Sequence, residues 1–149
     1  MAFNGTAVAT AASTGADIRT ISCWVKTTKN KNTSQIFVAD SKSNMCVSFY
    51  NGTIIGVFGT VKNTGSKCTL GSSYKENDWN HIVVVKTSDD GMRDIWCNGE
   101  KLAPSSNDYW SAATGMWLGA RNASLGNPLY GSLSDVRFYC TPLLDSDIK

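Results

Sequence analysis

With 149 residues the chain is about the size of one domain and long enough to enclose a hydrophobic core. Its net charge is only +2, with lysine and arginine scattered along the sequence, so the basic patch of a nucleic-acid binder is missing. No run approaches the roughly 20 apolar residues that a membrane-spanning helix requires, so membrane insertion is not expected.

Taken in order, residues 2–12 read as a first strand of small side chains, followed by a polar stretch at 13–17. The opening MAFNGTAVATAAS has neither a charged n-region nor a continuous apolar h-region, so it does not read as a signal peptide. It begins inside a strand, and together with the close on Ile148-Lys149 this predicts a single domain, residues 1–149, cut from a larger protein. Residues 18–26 form a second strand: Ile21, Cys23 and Val25 share one face, Ser22 and Trp24 the other. Bulk on both faces suits an inner strand of a sandwich. A polar loop, TTKNKNTS, leads to a strand at 35–39 and a turn at 40–44. Strands at 45–50 and 53–59 flank Asn51-Gly52, a pair that tolerates positive φ as a two-residue type I′ hairpin turn requires. Residues 61–69 read as a loop entering a short strand near 68–70.

Residues 79–102, WNHIVVVKTSDDGMRDIWCNGEKL, are the most informative. The β-branched run at 81–85 predicts a buried strand, and RDIWC at 93–97 alternates polar and apolar as a half-buried strand does. Asn98-Gly99 repeats the type I′ chemistry before a third strand starts at Glu100. The stretch is therefore an antiparallel three-stranded meander with no room for a helix. A polar-aromatic loop at 103–114, a strand at 116–120, a loop at 121–129 and a long last strand at 131–140 follow. Thr141-Pro142 ends that strand, and 143–148 make one helical turn. Many short strands separated by Gly, Asn and Ser turns predict an all-β chain folded as a two-sheet antiparallel β-sandwich of the jelly-roll kind.

Four pieces of this chain also carry a resemblance. Ile21-Ser22-Cys23-Trp24-Val25-Lys26 is similar to a "TISxWVK" strand, and the 79–102 stretch supplies the tryptophan, His, Asp-Gly and Asn-Gly that follow it. Met116-Trp117-Leu118-Gly119 matches an "LxIG" strand, and residues 130–148 match the closing "FxGxIDDVRIYNRALSxxEI". In that order they resemble the laminin-G-like domains of the concanavalin A-like lectin/glucanase superfamily, with their pentraxin-like jelly roll. The resemblance implies that Trp24 and Trp79 are structural tryptophans of the core and that His81 is a structural histidine. The five cysteines, Cys23, Cys46, Cys68, Cys97 and Cys140, show no CxxC spacing for zinc and, being odd in number, cannot all pair within one chain. Most are expected to be free, buried thiols. The resemblance makes the early and last strands neighbours, so Cys23–Cys140 is the bridge to look for.

Catalysis is not expected. Retaining glucanases need two carboxylates about 5–5.5 Å apart, supplied in this superfamily from alternate residues of one strand. The chain has two glutamates, Glu76 and Glu100, both in or beside turns. Asp145 and Asp147 alternate correctly but lie in the terminal tail, and His81 is the sole histidine. Binding has better candidates. Asn107-Asp108-Tyr109-Trp110 places adjacent aromatics in a loop, where rings stack on the C–H faces of sugars while amide and carboxylate hold the hydroxyls. The alternative is that Trp110 folds back over one end of the sandwich. Trp96 and Trp117 lie on the strand face opposite their apolar neighbours, which is either a binding surface or outer cover, and Trp117 joins the candidate ligand set. The meander brings the 87–92 turn and the 103–114 loop to one end, gathering Asp89, Asp90 and Asp108 as hard-oxygen candidates for Ca²⁺, a metal that many relatives bind. Asp-Asp-Gly is equally an ordinary turn.

The sequence is thus read as a non-catalytic, carbohydrate-binding (lectin-like) module of a surface, secreted or virion-borne protein, its partner a cell-surface glycan. The alternatives are a protein-interaction or structural domain packed on a neighbouring domain, and a glycoside hydrolase.

Overall fold

In the computed structural model the chain is described at residues 1–11, 18–29, 33–40, 45–50, 52–58, 66–87, 93–102, 116–120, 124 and 126–148. Twelve strands occur there: β1 (Ala2–Asn4), β2 (Ala9–Ala11), β3 (Thr20–Thr27), β4 (Gln35–Asp40), β5 (Met45–Tyr50) and β6 (Thr53–Phe58) come first. Then follow β7 (Ser66–Thr69), β8 (Asn80–Lys86), β9 (Arg93–Cys97), β10 (Glu100–Leu102), β11 (Met116–Leu118) and β12 (Tyr130–Tyr139), with one helical turn, α1 (Asp145–Ile148). They form two six-stranded antiparallel sheets, in the orders β1-β12-β3-β8-β9-β10 and β2-β11-β4-β5-β6-β7. The expected sandwich is therefore present.

Strand alternation builds its core. On the first sheet Ile21, Cys23, Val25, Ile82, Val84, Ile95, Cys97 and Leu133 point inward. They meet Val38, Val47, Phe49, Ile54, Met116 and Leu118 of the second sheet. Phe37 packs edge-to-face on Phe49 with ring centroids 4.7 Å apart, and Phe49 on Tyr74 at 5.5 Å, a geometry that aligns ring edges with ring faces. The meander β8-β9-β10 runs in register, and its turn has φ of 49° at Asn98 and 80° at Gly99, the two positive values of a type I′ hairpin. Where β12 crosses β3 the backbones come close: a Cβ at Gly131 would strike the Lys26 carbonyl and the Thr27 Cα. That position admits glycine alone.

Three expectations change. The first segment is two strands, not one, and each belongs to a different sheet. The side chain of Asn4 accepts the Thr6 N–H at 3.1 Å, a local turn that ends β1 and lets the chain cross to the other layer. Trp24 and Trp79 are 39% and 37% exposed rather than core, because β3 turns Trp24 to the same outer face as Ser22. All five cysteines are free. β3 and β12 are neighbours, yet Cys140 follows Tyr139, which pairs with Thr20, so it is offset from Cys23 by at least three residues, about 10 Å. A disulfide needs Cα atoms within about 7 Å.

Candidate functional site

The outer face of the first sheet is covered over only part of its area. Past Tyr139 the chain turns back: Thr20 donates its hydroxyl to the Thr141 carbonyl at 2.9 Å and accepts the Leu143 N–H at 3.1 Å. This fixes the tail so that Leu143 and Ile148 pack on Val83, Val85 and Trp96. Trp96 is 4% exposed and so serves as outer cover, closed over by α1. Lys101 spans the edge of this patch, 2.8 Å from Asp94, 3.4 Å from Asp145 and 5.4 Å above the Trp96 ring.

Beside α1 the same face is open, and a groove of about 200 Å³ runs between the turn and the sheet. Its floor comes from alternation on β3 and β8, which places Ser22, Trp24, His81 and Val83 outward. Trp24 and His81 are direct cross-strand partners, and their rings stack with centroids 5.0 Å apart at 23°. The Ser22 hydroxyl and His81 Nε2 are 2.8 Å apart. Burial pushes the imidazole below its ordinary pKa, Arg137 adds to that and Asp135 opposes it, so His81 is neutral at pH 7.

The third side of the groove depends on an irregularity. The register of β12 against β3 slips between Ser134 and Arg137, and Asp135 takes a φ of 49°. Such a bulge adds one residue and reverses the alternation, so Arg137 and Tyr139, which would otherwise follow Leu133 into the core, turn outward. Here it brings Asp135 and Arg137 to the groove together, with Arg137 Nε donating to Asp135 Oδ1 at 2.7 Å. Tyr139 and Asp147 complete the rim. Asp147 accepts the Leu144 N–H at 3.3 Å and so caps its own turn.

Below the stack a polar network holds β8 to the hairpin. His81 N–H donates to Asn98 Oδ1 at 2.8 Å, while Asn98 Nδ2 donates to Ser73 O at 2.7 Å and to Asn80 Oδ1 at 2.9 Å. Asn80, 2% exposed, in turn donates to Lys75 O and Asp78 O at 2.7 and 2.9 Å.

Ser22, His81 and Asp135 invite comparison with a nucleophile triad, but the geometry differs. Among the described residues no hydrogen bond joins His81 to Asp135, whose Oδ1 takes the arginine instead. Ser22 lies mid-strand between β8 and β12, where the backbone amides serve the ladder and form no oxyanion hole. The groove instead offers an indole, hydroxyls, carboxylates and a guanidinium on a firm sheet.

Asn107, Asp108, Tyr109 and Trp110, and the calcium candidates Asp89 and Asp90, lie outside the described residues. Trp117 sits on β11 between Thr10 and Ala39, partly exposed, on the sheet away from the groove. Among the described residues no three His, Cys, Asp or Glu side chains cluster to hold a metal, and no helix is long and apolar enough to cross a membrane. The groove is hard to see in sequence because Trp24 and His81 match positions that are structural in the resemblance. The signal that was available is the alternation placing Ser22 and Trp24 together away from the core.

A family model described as the concanavalin A-like lectin/glucanases superfamily matches residues 2–149. No curated protein matches the chain at a significant level. Among solved structures, the chain is similar to the CBM40 of the Ruminococcus gnavus IT-sialidase bound to α2,3-sialyllactose, with a TM-score of 0.68 and 17% identity over 89% of this chain and 81% of that one. It is similar to a heptameric SAP-like pentraxin from Limulus polyphemus, with a TM-score of 0.70 and 15% identity over 89% and 68% of the two chains. Domain 4 of AbnA, an extracellular arabinanase from Geobacillus stearothermophilus, in complex with arabinotriose, aligns with a TM-score of 0.67 and 17% identity over 97% and 72%. At these identities the likeness establishes the shared fold.

Proposed function

The chain belongs to the concanavalin A-like lectin/glucanases superfamily, and from that premise we propose that it is a non-catalytic carbohydrate-binding module of a surface or secreted protein. The observation that carries this reading is the half-exposed Trp24, held rigid by its stack on His81 and set in a groove with Asp135, Arg137 and Tyr139. An indole fixed from one side presents its remaining surface to the C–H face of a sugar ring, and the surrounding polar groups take the hydroxyls. Two relatives in fold are named with a bound sugar, a sialyllactose and an arabinotriose, which supports the same class of ligand.

The non-catalytic part rests on how the carboxylates are occupied. Asp135 and Asp147 both line the groove, but one accepts a guanidinium and the other caps α1, so neither is poised as a free nucleophile or acid. Asn107, Asp108, Tyr109, Trp110 and Trp117 stand as a second proposed ligand surface, with calcium at Asp89, Asp90 and Asp108 as its partner.

The test is a glycan-array screen of the purified chain with Ca²⁺ and with EDTA, beside Trp24→Ala and Trp110→Ala. We expect Trp24→Ala to weaken binding by about two- to twelvefold with the fold retained by circular dichroism, since stacking on one ring contributes about 0.5–1.5 kcal/mol. Loss only in Trp110→Ala, or only in EDTA, would move the site to the loop end. Release of reducing sugar from a bound glycan would overturn the non-catalytic reading.

A further inference from the structure

The groove's charges narrow the ligand further, on the premise that it binds sugar at all. The charged side chains in its lining are Asp135, Arg137 and Asp147. Arg137, the single cation among them, already donates through Nε to Asp135 at 2.7 Å. The charge of the guanidinium is thus offset within the groove by Asp135 before any ligand arrives. Among the described residues no cation pairs with Asp147: it meets the Leu144 N–H and the Ser146 hydroxyl. Two further basic groups stand near this face. Lys101 is held by Asp94 and Asp145, and Lys26 shares the outward face of β3 with Trp24, two residues along, but is not part of the lining. His81, stacked with Trp24 and half-buried, is held below its ordinary pKa by that burial and adds no charge at pH 7. The lining thus carries one net negative charge.

We propose that the groove takes an uncharged sugar, laid on Trp24, and rejects glycans whose contacting residue is a sialic acid, a uronate or a sulfate ester. An anionic ring would bring a carboxylate or sulfate against Asp135 and Asp147, where the lining's one guanidinium is already offset by Asp135. A neutral ring meets no such repulsion, and it uses the carboxylates as hydroxyl acceptors. This sets the groove apart from the CBM40 relative named with sialyllactose, despite the common fold.

The experiment pairs each ligand with its charged counterpart: an immobilised panel of neutral gluco-, galacto-, xylo- and arabino-oligosaccharides beside sialylated, uronate-bearing and sulfated versions. Wild type, Trp24→Ala, Trp24→Phe, Asp147→Asn and Arg137→Ala are compared, each checked for an intact thermal unfolding transition. Expected are neutral hits that weaken in Trp24→Ala and persist in Trp24→Phe, with charged counterparts at least tenfold weaker. Asp147→Asn, which keeps the cap acceptor but removes the charge, narrows that gap. Charged glycans that bind as well as neutral ones, and lose binding in Arg137→Ala, would overturn the proposal while leaving carbohydrate binding standing. A blank panel, or hits indifferent to Trp24→Ala, would instead overturn carbohydrate binding at the groove, and this inference with it.

Discussion

Single residues here serve the turn and the site at once, and Asn98 shows it best. Its φ of 49° is the first positive value of the hairpin, which asparagine tolerates better than most side chains. The same side chain receives the His81 amide and donates to Ser73 and Asn80, so it locks the strand that carries His81. The two roles separate by substitution. Asn98→Gly keeps the turn and loses the three side-chain bonds, for an expected cost of about 1–3 kcal/mol. Asn98→Ala loses the bonds and adds left-handed strain of about 1 kcal/mol. Urea unfolding of the two variants measures the difference, and equal stabilities would show that the turn makes no separate demand. The Asn-Gly pair was legible as a turn because it is a local signal. The network was not, because Ser73, Asn80 and Asn98 meet only once β8 and β9 have paired.

At the level of elements, local pattern and tertiary placement part in the same way. The strands, their bounds within a residue or two, the two tight hairpins and the terminal helical turn could all be read from alternation and turn chemistry. The division of residues 2–11 between two sheets could not, since a crossing is signalled only by Asn4 bonding back to Thr6. Nor could the groove, which requires a bulge at Asp135 and a tail folded onto Trp96; neither leaves a periodic trace. The tail gives the sharper test. A helix of four residues has no stability of its own in water, so α1 must be held by Ile148 and Leu143 packing on Val83, Val85 and Trp96. The Lys101 pairs sit at an exposed edge, and such pairs contribute about 0–1 kcal/mol. Ile148→Ala should therefore loosen the turn far more than Lys101→Ala. The expected readouts are faster amide exchange across 143–148 and a red shift of Trp96 emission in the first variant, with little change in the second. The reverse order would mean that charge, not burial, holds the tail.

For the molecule as a whole, the buried ionisable groups set a pH window for stability. Burial raises the thiol of Cys23 from 9.0 to about 12, and those of Cys68 and Cys97 to about 11. Above pH 9 the unfolded chain releases protons from these thiols while the folded chain retains them, so unfolding is favoured as pH rises from 9 towards 11–12. His81 acts at the other limit. Its folded pKa lies below 6.5, so under pH 6.5 the unfolded chain takes up a proton that the folded chain refuses, and stability falls until the folded imidazole titrates too. Between these limits neither group contributes a slope. The unfolding temperature should thus plateau from about pH 6.5 to 9 and decline on both sides. His81→Gln should flatten the acid arm alone, and Cys23→Ala should flatten part of the alkaline arm, whatever its effect on the plateau height. The thiols can also be followed directly. At pH 8 an alkylating reagent should modify the exposed Cys140 first, and reach Cys23, Cys68 and Cys97 only as fast as the sandwich opens, because a reagent needs both access and thiolate. If those three react in the native state at the rate of Cys140, their burial between the sheets is wrong and the alkaline arm loses its cause.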